Sequence, residues 1–545
     1  MPSLEKKLIR TELIQRKEEG CDTEEISGRV AAALEAKAPD ETFTQLYDEL
    51  LALPIAESFP YSEPSTLQDI QAQRPDGPRK LEFAWDEEDI YNRVYGAWLG
   101  RAAGCSLGKP VEGWDKERIE KYLEGAGVLP LDNYIPYAEK VIPASLKPST
   151  LGNIQCMARD DDMDFPILGL LALEQKGAQL TPRTMASTWT SYMPFGLTYT
   201  AEEVAYRNFA LKIWPPESAL HRNPFREWIG AQIRADIFGY TAPGCPERAA
   251  EFAYRDACIS HVKNGIYGEM FIAAMIAAAF VQTEAEDIVT TGLAEIPAGS
   301  RLAEAIQNTQ SWCREELAGK GKNWQAVWSK IHEHYGHYHG VHTINNAALV
   351  VMGLYFGNED FEQGIVATVL AGWDTDCTGA TVGSILGIKS GAKSLPEKWI
   401  GVLNDRLISA VRTHNDNKIS DLAKRTVAVA KDLLNTPEPQ RDRPEKTTLE
   451  GDAAGTWELD TSWGAHLLKL DEGSVYLVDY DMGPLDITAS SLIDGELKFS
   501  FAIDKGGWDF AVDFEGHLHG DAIEGVYYPG LASVKGRRAS QEQKQ

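Results

Sequence analysis

Two short acidic segments contain the residues of this sequence best suited to chemistry. The first is RDDDMDF, with three consecutive aspartates at positions 160–162 and a fourth at Asp164. The second is DTD, which contains Asp374 and Asp376. Carboxylates at this spacing repel one another and need cations or protons to coexist beside the apolar run FPILGLLAL. Their hard oxygen atoms favour Mg²⁺, Mn²⁺ or Ca²⁺ over zinc, so a metal site is the first hypothesis.

A solvated helix N-terminus is the alternative interpretation of each segment. Carboxylates in the first turn interact favourably with the helix dipole, and for one segment alone this explanation is as good as a metal site. Because both segments open a helix, we favour convergence of the two on one or two metal ions.

Glycine at every fourth position marks the two helices expected to position these carboxylates. Residues four apart share one helix face, and each interior glycine costs about 1 kcal/mol relative to alanine. We therefore predict two glycine-faced helices whose backbones pack unusually close. The stripes are Gly96, Gly100, Gly104 and Gly108 in GAWLGRAAGCSLGKPVE, and Gly379, Gly383, Gly387 and Gly391 in GWDTDCTGATVGSILGIKSG.

Composition and charge limit the partners of the chain. Its 545 residues are 43% hydrophobic and 25% charged, which predicts more than one globular domain. The net charge of −28 excludes nucleic acid and anionic membranes as expected partners, because both need positive potential. Seven scattered cysteines and the lack of an apolar stretch in the first twenty residues predict a cytoplasmic protein with reduced thiols.

The hydrophobic periodicity predicts a multidomain chain. Residues 1–80 are expected to form an N-terminal helical extension and a proline-rich connector, and residues 81–434 an all-α catalytic domain. A polar, proline-containing linker is predicted over 435–455. Residues 456–535 alternate in hydrophobicity, as in LKFSFAI and WDFAVDF, and predict a small C-terminal antiparallel β-sheet domain or partial barrel.

The first glycine stripe, the segment DDDMDF and the segment GWDTDCTGATVGSILG together resemble the ADP-ribosylglycohydrolase family in order and approximate spacing. The resemblance covers residues 90–432 approximately. It implies an orthogonal all-α fold that holds two Mg²⁺ or Mn²⁺ ions between the acidic segments. The positions that match the metal ligands are Asp160, Asp161, Asp374 and Asp376.

Three positions depart from the family pattern. Arg159 and Asp162 stand where the first motif has threonines, and Cys377 replaces the threonine that commonly ends the last motif. A thiol is a poor ligand for a hard cation, so we expect one ion site to be altered. The extra carboxylates Asp162 and Asp164 could compensate.

The resemblance also implies roles in catalysis. Glu112, in GKPVEGW, matches a loop acid near the scissile bond and is the candidate proton donor; a surface loop is the equal alternative. Asp161 or Asp162 is the candidate base.

Four further residues are candidates for substrate binding. Gly230 and Arg234, in IGAQIR, resemble a segment whose amides and arginine lie near the ligand, although such helix starts are common. His261 matches a histidine of the family but could equally be a core residue. Trp373 could stack on a ring or pack in the core. The histidine-rich segment HEHYGHYHGVH predicts a loop at the pocket rim, with a zinc site as the alternative.

Together these features predict a metal-dependent glycoside hydrolase acting on a small-molecule or protein-linked ribosyl substrate. A hydrolase of another nucleoside or glycoside and an inactive ADP-ribose-binding protein are the alternatives. The β domain is expected to serve contact or homo-oligomerisation.

Overall fold

The protein forms two compact units, Met1–Thr436 and Pro437–Gln545, in a computed structural model. The structure describes residues 3–319, 322–436, 455–461, 464–471, 474–477, 485–493, 496–505, 508–519, 522–528 and 532–538. The predicted linker falls almost wholly outside these ranges. The predicted division of the chain into an extension, a catalytic domain, a linker and a β domain stays a prediction.

The first unit is helical apart from one short hairpin, as the sequence predicts. None of its described helices is both long and apolar enough to cross a membrane. The α-helices are α1 (Leu4–Glu18), α2 (Glu24–Glu35), α3 (Asp40–Leu51), α4 (Leu67–Gln73), α5 (Glu87–Gly108), α6 (Lys116–Ala126), α7 (Asp161–Lys176), α8 (Pro182–Tyr192), α9 (Thr200–Ala210), α10 (Glu217–Leu220), α11 (Asp236–Tyr240), α12 (Pro246–Ala257), α13 (Asn264–Ala279), α14 (Ala285–Leu293), α15 (Arg301–Ala318), α16 (Trp324–Tyr335), α17 (Thr343–Phe356), α18 (Phe361–Leu370), α19 (Thr375–Ser390), α20 (Glu397–Ile400) and α21 (Ile419–Asn435).

Short 3-10 helices and a hairpin complete this unit. The hairpin pairs β1 (Arg406–Ile408) antiparallel with β2 (Asp416–Lys418). The 3-10 helices span Lys109–Val111, Ala144–Ser149, Gly177–Gln179, Phe195–Leu197, Gln232–Arg234, Ala392–Ser394 and Gly401–Leu403.

The two glycine stripes face each other between α5 and α19, which confirms the predicted close packing. A Cβ atom added at any stripe position would overlap backbone atoms of the other helix, so only glycine permits this approach. The exception is Gly391, which lies just after α19 with a φ of 69° and ends the helix. The facing pairs are Gly96 with Gly387, Gly100 with Gly383, Gly104 with Gly379, and Gly108 with Thr375.

The N-terminal helices α1–α3 have a small apolar core of their own and dock through buried charges. Arg226 is almost wholly buried and forms ion pairs with Glu12 at 2.9 Å and Glu19 at 2.8 Å, both on or beside α1. Gln15 donates to Glu227 at 2.6 Å. These contacts join the extension to the segment that precedes α11.

The second unit is a closed antiparallel barrel over its described residues, more complete than the sheet or partial barrel predicted. The predicted strands LKFSFAI and WDFAVDF lie in neighbouring strands that pair with Phe499 opposite Phe514. The order around the barrel is β10-β3-β4-β5-β6-β7-β8-β9. The strands are β3 (Gly455–Thr461), β4 (Gly464–Asp471), β5 (Ser474–Leu477), β6 (Leu485–Ile493), β7 (Glu496–Lys505), β8 (Trp508–His519), β9 (Ala522–Tyr528) and β10 (Ala532–Arg538).

Candidate functional site

The packing of α5 on α19 brings the end of one helix beside the start of the other. Thr375 donates its hydroxyl to the carbonyl of Gly108 at 2.9 Å. Just beyond α5, the Gly113 amide donates to the Trp373 carbonyl and the Trp373 amide to the Trp114 carbonyl, both at 2.9 Å. The glycine stripes therefore fix the second acidic segment next to the loop that carries Glu112.

The first acidic segment is held at the N-terminus of α7. The Asp160 carboxylate caps this helix by accepting from the Asp162 amide at 3.0 Å. Behind it, the fully buried Arg101 donates to the Asp162 carbonyl at 2.8 Å and to the Asp236 carboxylate at 2.6 Å. This arginine ties α5, α7 and α11 together beneath the acidic cluster.

Both acidic segments line one cavity of about 360 Å³. Their convergence, predicted from the sequence, is confirmed. Ligand-type atoms of Cys105, Asp160, Asp162 and Asp376 lie within 4.8 Å of one another, and so do those of Asp374, Asp376 and Cys377. The lining residues are Lys109, Glu112, Arg159, Asp160, Asp161, Asp162, Tyr199, Thr200, Glu202, Trp228, Ile229, Gly230, Ile233, Val341, Asp374, Asp376 and Cys377.

Unpartnered oxygen atoms in this cluster fit a divalent cation. Asp374 and Asp376 each have one buried carboxylate oxygen without a hydrogen-bond partner among the described residues. Burial raises the pKa of Asp376 well above its usual range, and the charges of Glu112 and Asp160 raise it further. Such crowding favours a bound cation that neutralises the carboxylates. Asp161 lines the cavity but belongs to neither close group, so its role as a metal ligand stays a prediction.

Lys109 brings a positive charge into the cluster, which the sequence reasoning missed. Its ammonium forms an ion pair with Asp160 and donates to the Arg159 carbonyl at 2.6 Å. Burial opposes ionisation of Asp160, but the Lys109 ammonium, the Asp162 amide and the charge of Arg159 together lower the pKa of that carboxyl. The motif GKPVE offered a signal, since Lys109 lies one helical turn before Glu112.

Glu112 projects from the end of the 3-10 helix Lys109–Val111 into the cavity. Its side chain is exposed to the cavity, yet the surrounding protein partly desolvates it. This desolvation and the charges of Asp374 and Asp160 raise the pKa of Glu112 to about 7. A carboxyl with that pKa carries a proton in an appreciable fraction of molecules at neutral pH, as a general acid must.

The residues that depart from the family pattern have other partners. Arg159 forms an ion pair with the buried Asp164 at 2.8 Å and donates to the Tyr199 hydroxyl at 3.1 Å. Asp164 also accepts from the Ala410 amide at 2.7 Å, so it anchors Arg159 and the chain near β1. The Cys377 thiol donates to Asp162 at 3.1 Å. Burial among carboxylates raises the pKa of this thiol, which keeps it protonated and neutral.

Gly230 lines the cavity, whereas Arg234 lies behind it. The Arg234 guanidinium is 1% exposed and donates to Glu202 at 2.6 Å; it also pairs with Asp256. A side chain at Gly230 would collide with the Glu202 carboxyl, which explains the glycine. Contact of Arg234 with a substrate stays a prediction, and its observed role is to hold Glu202 in the cavity wall.

His261 and Trp373 are also outside the lining. His261 is fully buried, contacts the Ser260 hydroxyl at 2.8 Å and has a pKa lowered by burial and by Arg234. Trp373 stacks on His332, with 6.1 Å between ring centroids. Their contact with a substrate stays a prediction.

The histidine-rich segment is only partly the loop that the sequence predicts, because His332 and His334 lie on α16. Its last residues contribute to the cavity wall. Val341 lines the cavity, and His339 stacks on the lining residue Trp228 at 4.3 Å between ring centroids. In the part of the chain that the structure describes, no histidine belongs to a group of three or more side chains with metal-ligand spacing. Trp228, Tyr199 and Glu202 were missed in the sequence because no periodicity or motif distinguishes them from core residues.

Comparison with known proteins gives a match to one family and a similar solved structure. A family model described as ADP-ribosylglycohydrolase matches residues 86–441. A solved structure described as "ADP-ribosylglycohydrolase-related protein complex" is 16% identical and has a TM-score of 0.40, with coverage of 64% of this chain and 99% of that chain. No curated protein matches the chain.

Proposed function

We propose that this chain, which belongs to the ADP-ribosylglycohydrolase family, is a metal-dependent glycoside hydrolase. The bond that it cleaves is an ADP-ribose-type glycosidic bond. The observation that carries this proposal is the convergence of two acidic segments and Glu112 on one cavity. The family supports a glycohydrolase; the ribosyl substrate and the need for Mg²⁺ or Mn²⁺ are our proposal.

The free oxygens of Asp374 and Asp376 would hold a divalent cation, together with carboxylates of the first acidic segment. Resemblance to the family implies two ions, and the free oxygens of Asp374 and Asp376 offer ligands for one of them. A bound Mg²⁺ or Mn²⁺ would supply Lewis-acid chemistry, orienting ribose hydroxyls and lowering the pKa of water.

Two carboxyl groups of the chain supply the acid–base chemistry that glycosidic cleavage needs. Glu112 donates a proton to the leaving-group oxygen, which its pKa of about 7 supports. Asp161 is the better of the two candidate bases. It is only partly buried at the cavity, whereas Asp162 already accepts from Arg101 and Cys377.

An anionic substrate needs local positive charge, because the chain as a whole is strongly negative. Among the described lining residues, Lys109 and Arg159 are the basic ones. We propose that Arg159 faces the anionic part of the substrate, that Lys109, paired with Asp160, offsets the negative charge of the cluster, and that Trp228 and Gly230 form a further part of the wall. Arg234 acts on the substrate indirectly, through Glu202.

A substrate screen with and without metal tests the proposal. Protein treated with EDTA and then supplied with Mg²⁺ or Mn²⁺ is assayed on ADP-ribosylated peptides, small ADP-ribose conjugates, nucleosides and aryl glycosides. We expect metal-dependent release of ADP-ribose. Turnover of only a nucleoside or aryl glycoside would favour the second candidate, a hydrolase with a different substrate. Tight ADP-ribose binding without turnover would identify a binding protein.

We further propose a cytoplasmic protein without nucleic-acid or membrane partners. All seven cysteines are free, which agrees with a reducing compartment. The barrel unit is proposed to mediate contact or homo-oligomerisation. Light scattering of the full chain and of a chain ending at Thr436 measures the number of subunits in each form. Equal subunit numbers in the two forms would reject the role in oligomerisation.

A further inference from the structure

Asp160 has both of its carboxylate oxygens engaged by donors of the protein itself. One oxygen accepts from the Asp162 amide at 3.0 Å, and the other is paired with the Lys109 ammonium. The Asp160 side chain is buried, and the ammonium is held further by the Arg159 carbonyl at 2.6 Å. No oxygen of this carboxylate is left without a partner.

The opposite side of the cluster differs. Asp374 and Asp376 each have an oxygen that is buried and lacks a partner among the described residues, and both side chains are only 4% exposed. An unpaired buried carboxylate oxygen is costly unless a cation or a proton binds it. The cluster is therefore divided into a side that already contains a cation and a side whose oxygens are free to bind one.

The Lys109 ammonium occupies the space beside Asp160 that a second cation would need. It contacts both the Asp160 carboxylate and the Arg159 carbonyl. A divalent cation on the same Asp160 oxygen would lie close to this ammonium. Because like charges repel strongly in a buried site, both cannot occupy that position.

The backbone fixes Lys109 in this place. Its amide donates to the Cys105 carbonyl at the end of α5, and the preceding Gly108 is packed directly on Thr375 of α19. The lysine is thus positioned by the same close packing that positions Asp374 and Asp376.

We propose that the acidic cluster takes one divalent cation, on the side of Asp374 and Asp376, and that the Lys109 ammonium is a fixed cation in place of a second ion. This inference rests on the proposed metal site but is independent of the substrate. Lys109 thereby holds the Asp160 carboxylate in place without metal.

Metal stoichiometry tests the inference without an activity assay. Full-length protein is titrated with Mn²⁺ by calorimetry, and the bound metal per chain is measured by elemental analysis after gel filtration. Electron paramagnetic resonance then distinguishes an isolated Mn²⁺ ion from a spin-coupled pair. The variants are Lys109→Met, which removes the charge, and Lys109→Arg, which keeps it. Lys393→Met, at an exposed pair with Glu88, is the control.

We expect one isolated Mn²⁺ per chain in the parent, in Lys109→Arg and in Lys393→Met. Lys109→Met should bind two, because the unpaired Asp160 then needs a cation. A coupled pair in the parent would overturn the inference and leave the proposed function standing, whereas no binding in the parent would overturn both. A single ion in a folded Lys109→Met would also overturn it, and if that variant fails to fold, the parent and Lys109→Arg decide.

Discussion

Glu112 is the cavity carboxyl whose proton the proposed mechanism needs. Desolvation and the charges of Asp374 and Asp160 raise its pKa to about 7. Glu112→Gln removes the transferable proton and should slow the chemical step by about 10²–10⁴-fold. Its affinity for Mn²⁺ should stay unchanged, because Glu112 belongs to neither close ligand group. Single-turnover rates and Mn²⁺ titrations measure both quantities.

Glu120→Gln is the matched control for Glu112→Gln. Glu120 is a partly exposed glutamate on α6 that pairs with Lys116, and we expect its replacement to leave the rate unchanged. A Glu112→Gln enzyme as fast as the parent would remove Glu112 from the mechanism.

Cys377 is a soft, neutral group within a cluster of hard ligands. Its thiol donates to Asp162, and burial raises its pKa, so it contributes little to binding Mg²⁺. Cys377→Thr introduces a hard oxygen at this position and should strengthen Mg²⁺ binding, by about 10-fold on the scale of changes around metal sites. Competition with Mn²⁺ measures the affinity for Mg²⁺, and Cys21→Thr is the control. Weaker Mg²⁺ binding would show that the thiol is itself a favourable ligand.

For single residues, the sequence predicts the chemistry of a side chain better than its position in the fold. The aspartates were found because repulsion between adjacent carboxylates is a property of the residues alone. Arg234 was expected to contact substrate, but its burial among Glu202 and Asp256 depends on packing that no local pattern encodes. Lys109 was overlooked because a single lysine after a helix is usually solvated.

The α5–α19 pair is the element that positions the site. An added methyl group at Gly383 would meet the carbonyl of Gly100, and a backbone atom cannot move aside as a side-chain end can. Gly383→Ala should therefore destabilise the protein by about 1–3 kcal/mol through overpacking. Thermal or denaturant unfolding measures this change.

Gly28→Ala is the control, and we expect it to change stability in the opposite direction. Gly28 is exposed within α2 and has open space where a Cβ would be. Alanine there should stabilise by up to about 1 kcal/mol, following helix propensity alone. If both variants were stabilised, the close-approach argument would be wrong.

The glycine periodicity predicted this packing, because positions four apart share a helix face. It could not predict the register, in which Gly96 faces Gly387 and Gly108 faces Thr375. Register depends on the side chains around the stripe and on the short loop contacts at Trp373 and Gly113.

At the scale of the whole molecule, the sequence predicted separate helical and β regions from the change in hydrophobic period. It did not predict how the N-terminal helices dock. Arg226 is distant in sequence from Glu12 and Glu19, and charged residues normally indicate a solvated surface. Strand periodicity likewise could not predict that the barrel is closed, because this periodicity is the same in open and closed sheets.

Docking of the N-terminal helices makes stability depend on pH through Glu18. Burial and the charges of Glu227 and Glu19 raise the pKa of Glu18 from 4.5 to about 7, although Arg301 partly opposes this; His342 lies 3.8 Å away. The folded protein therefore binds a proton that the unfolded chain has released. Stability should fall as pH rises from about 4.5 to 7 and change little through this group above that range.

Glu18→Gln stays uncharged at every pH and should remove this dependence. We expect the variant to melt at a higher temperature than the parent at pH 8 and at nearly the same temperature at pH 4.5. Glu24→Gln, on the exposed side of α2, is the control. Parallel melting curves for parent and Glu18→Gln across this range would contradict the assignment.

The Mn²⁺ affinity of Asp376→Asn tests the central claim most directly, namely that the converged carboxylates hold a divalent cation. Asparagine keeps the size of the side chain but removes the charge and one hard ligand. Changes to residues that merely support the ligands of a metal lower the metal affinity by about 10–100-fold. Loss of a ligand itself should therefore weaken Mn²⁺ binding by about 100-fold or more. The melting temperature of the metal-free protein should stay unchanged or rise. Asp421→Asn, at an exposed pair with Lys424, should bind as the parent does. Equal Mn²⁺ affinity of parent and Asp376→Asn would contradict the claim.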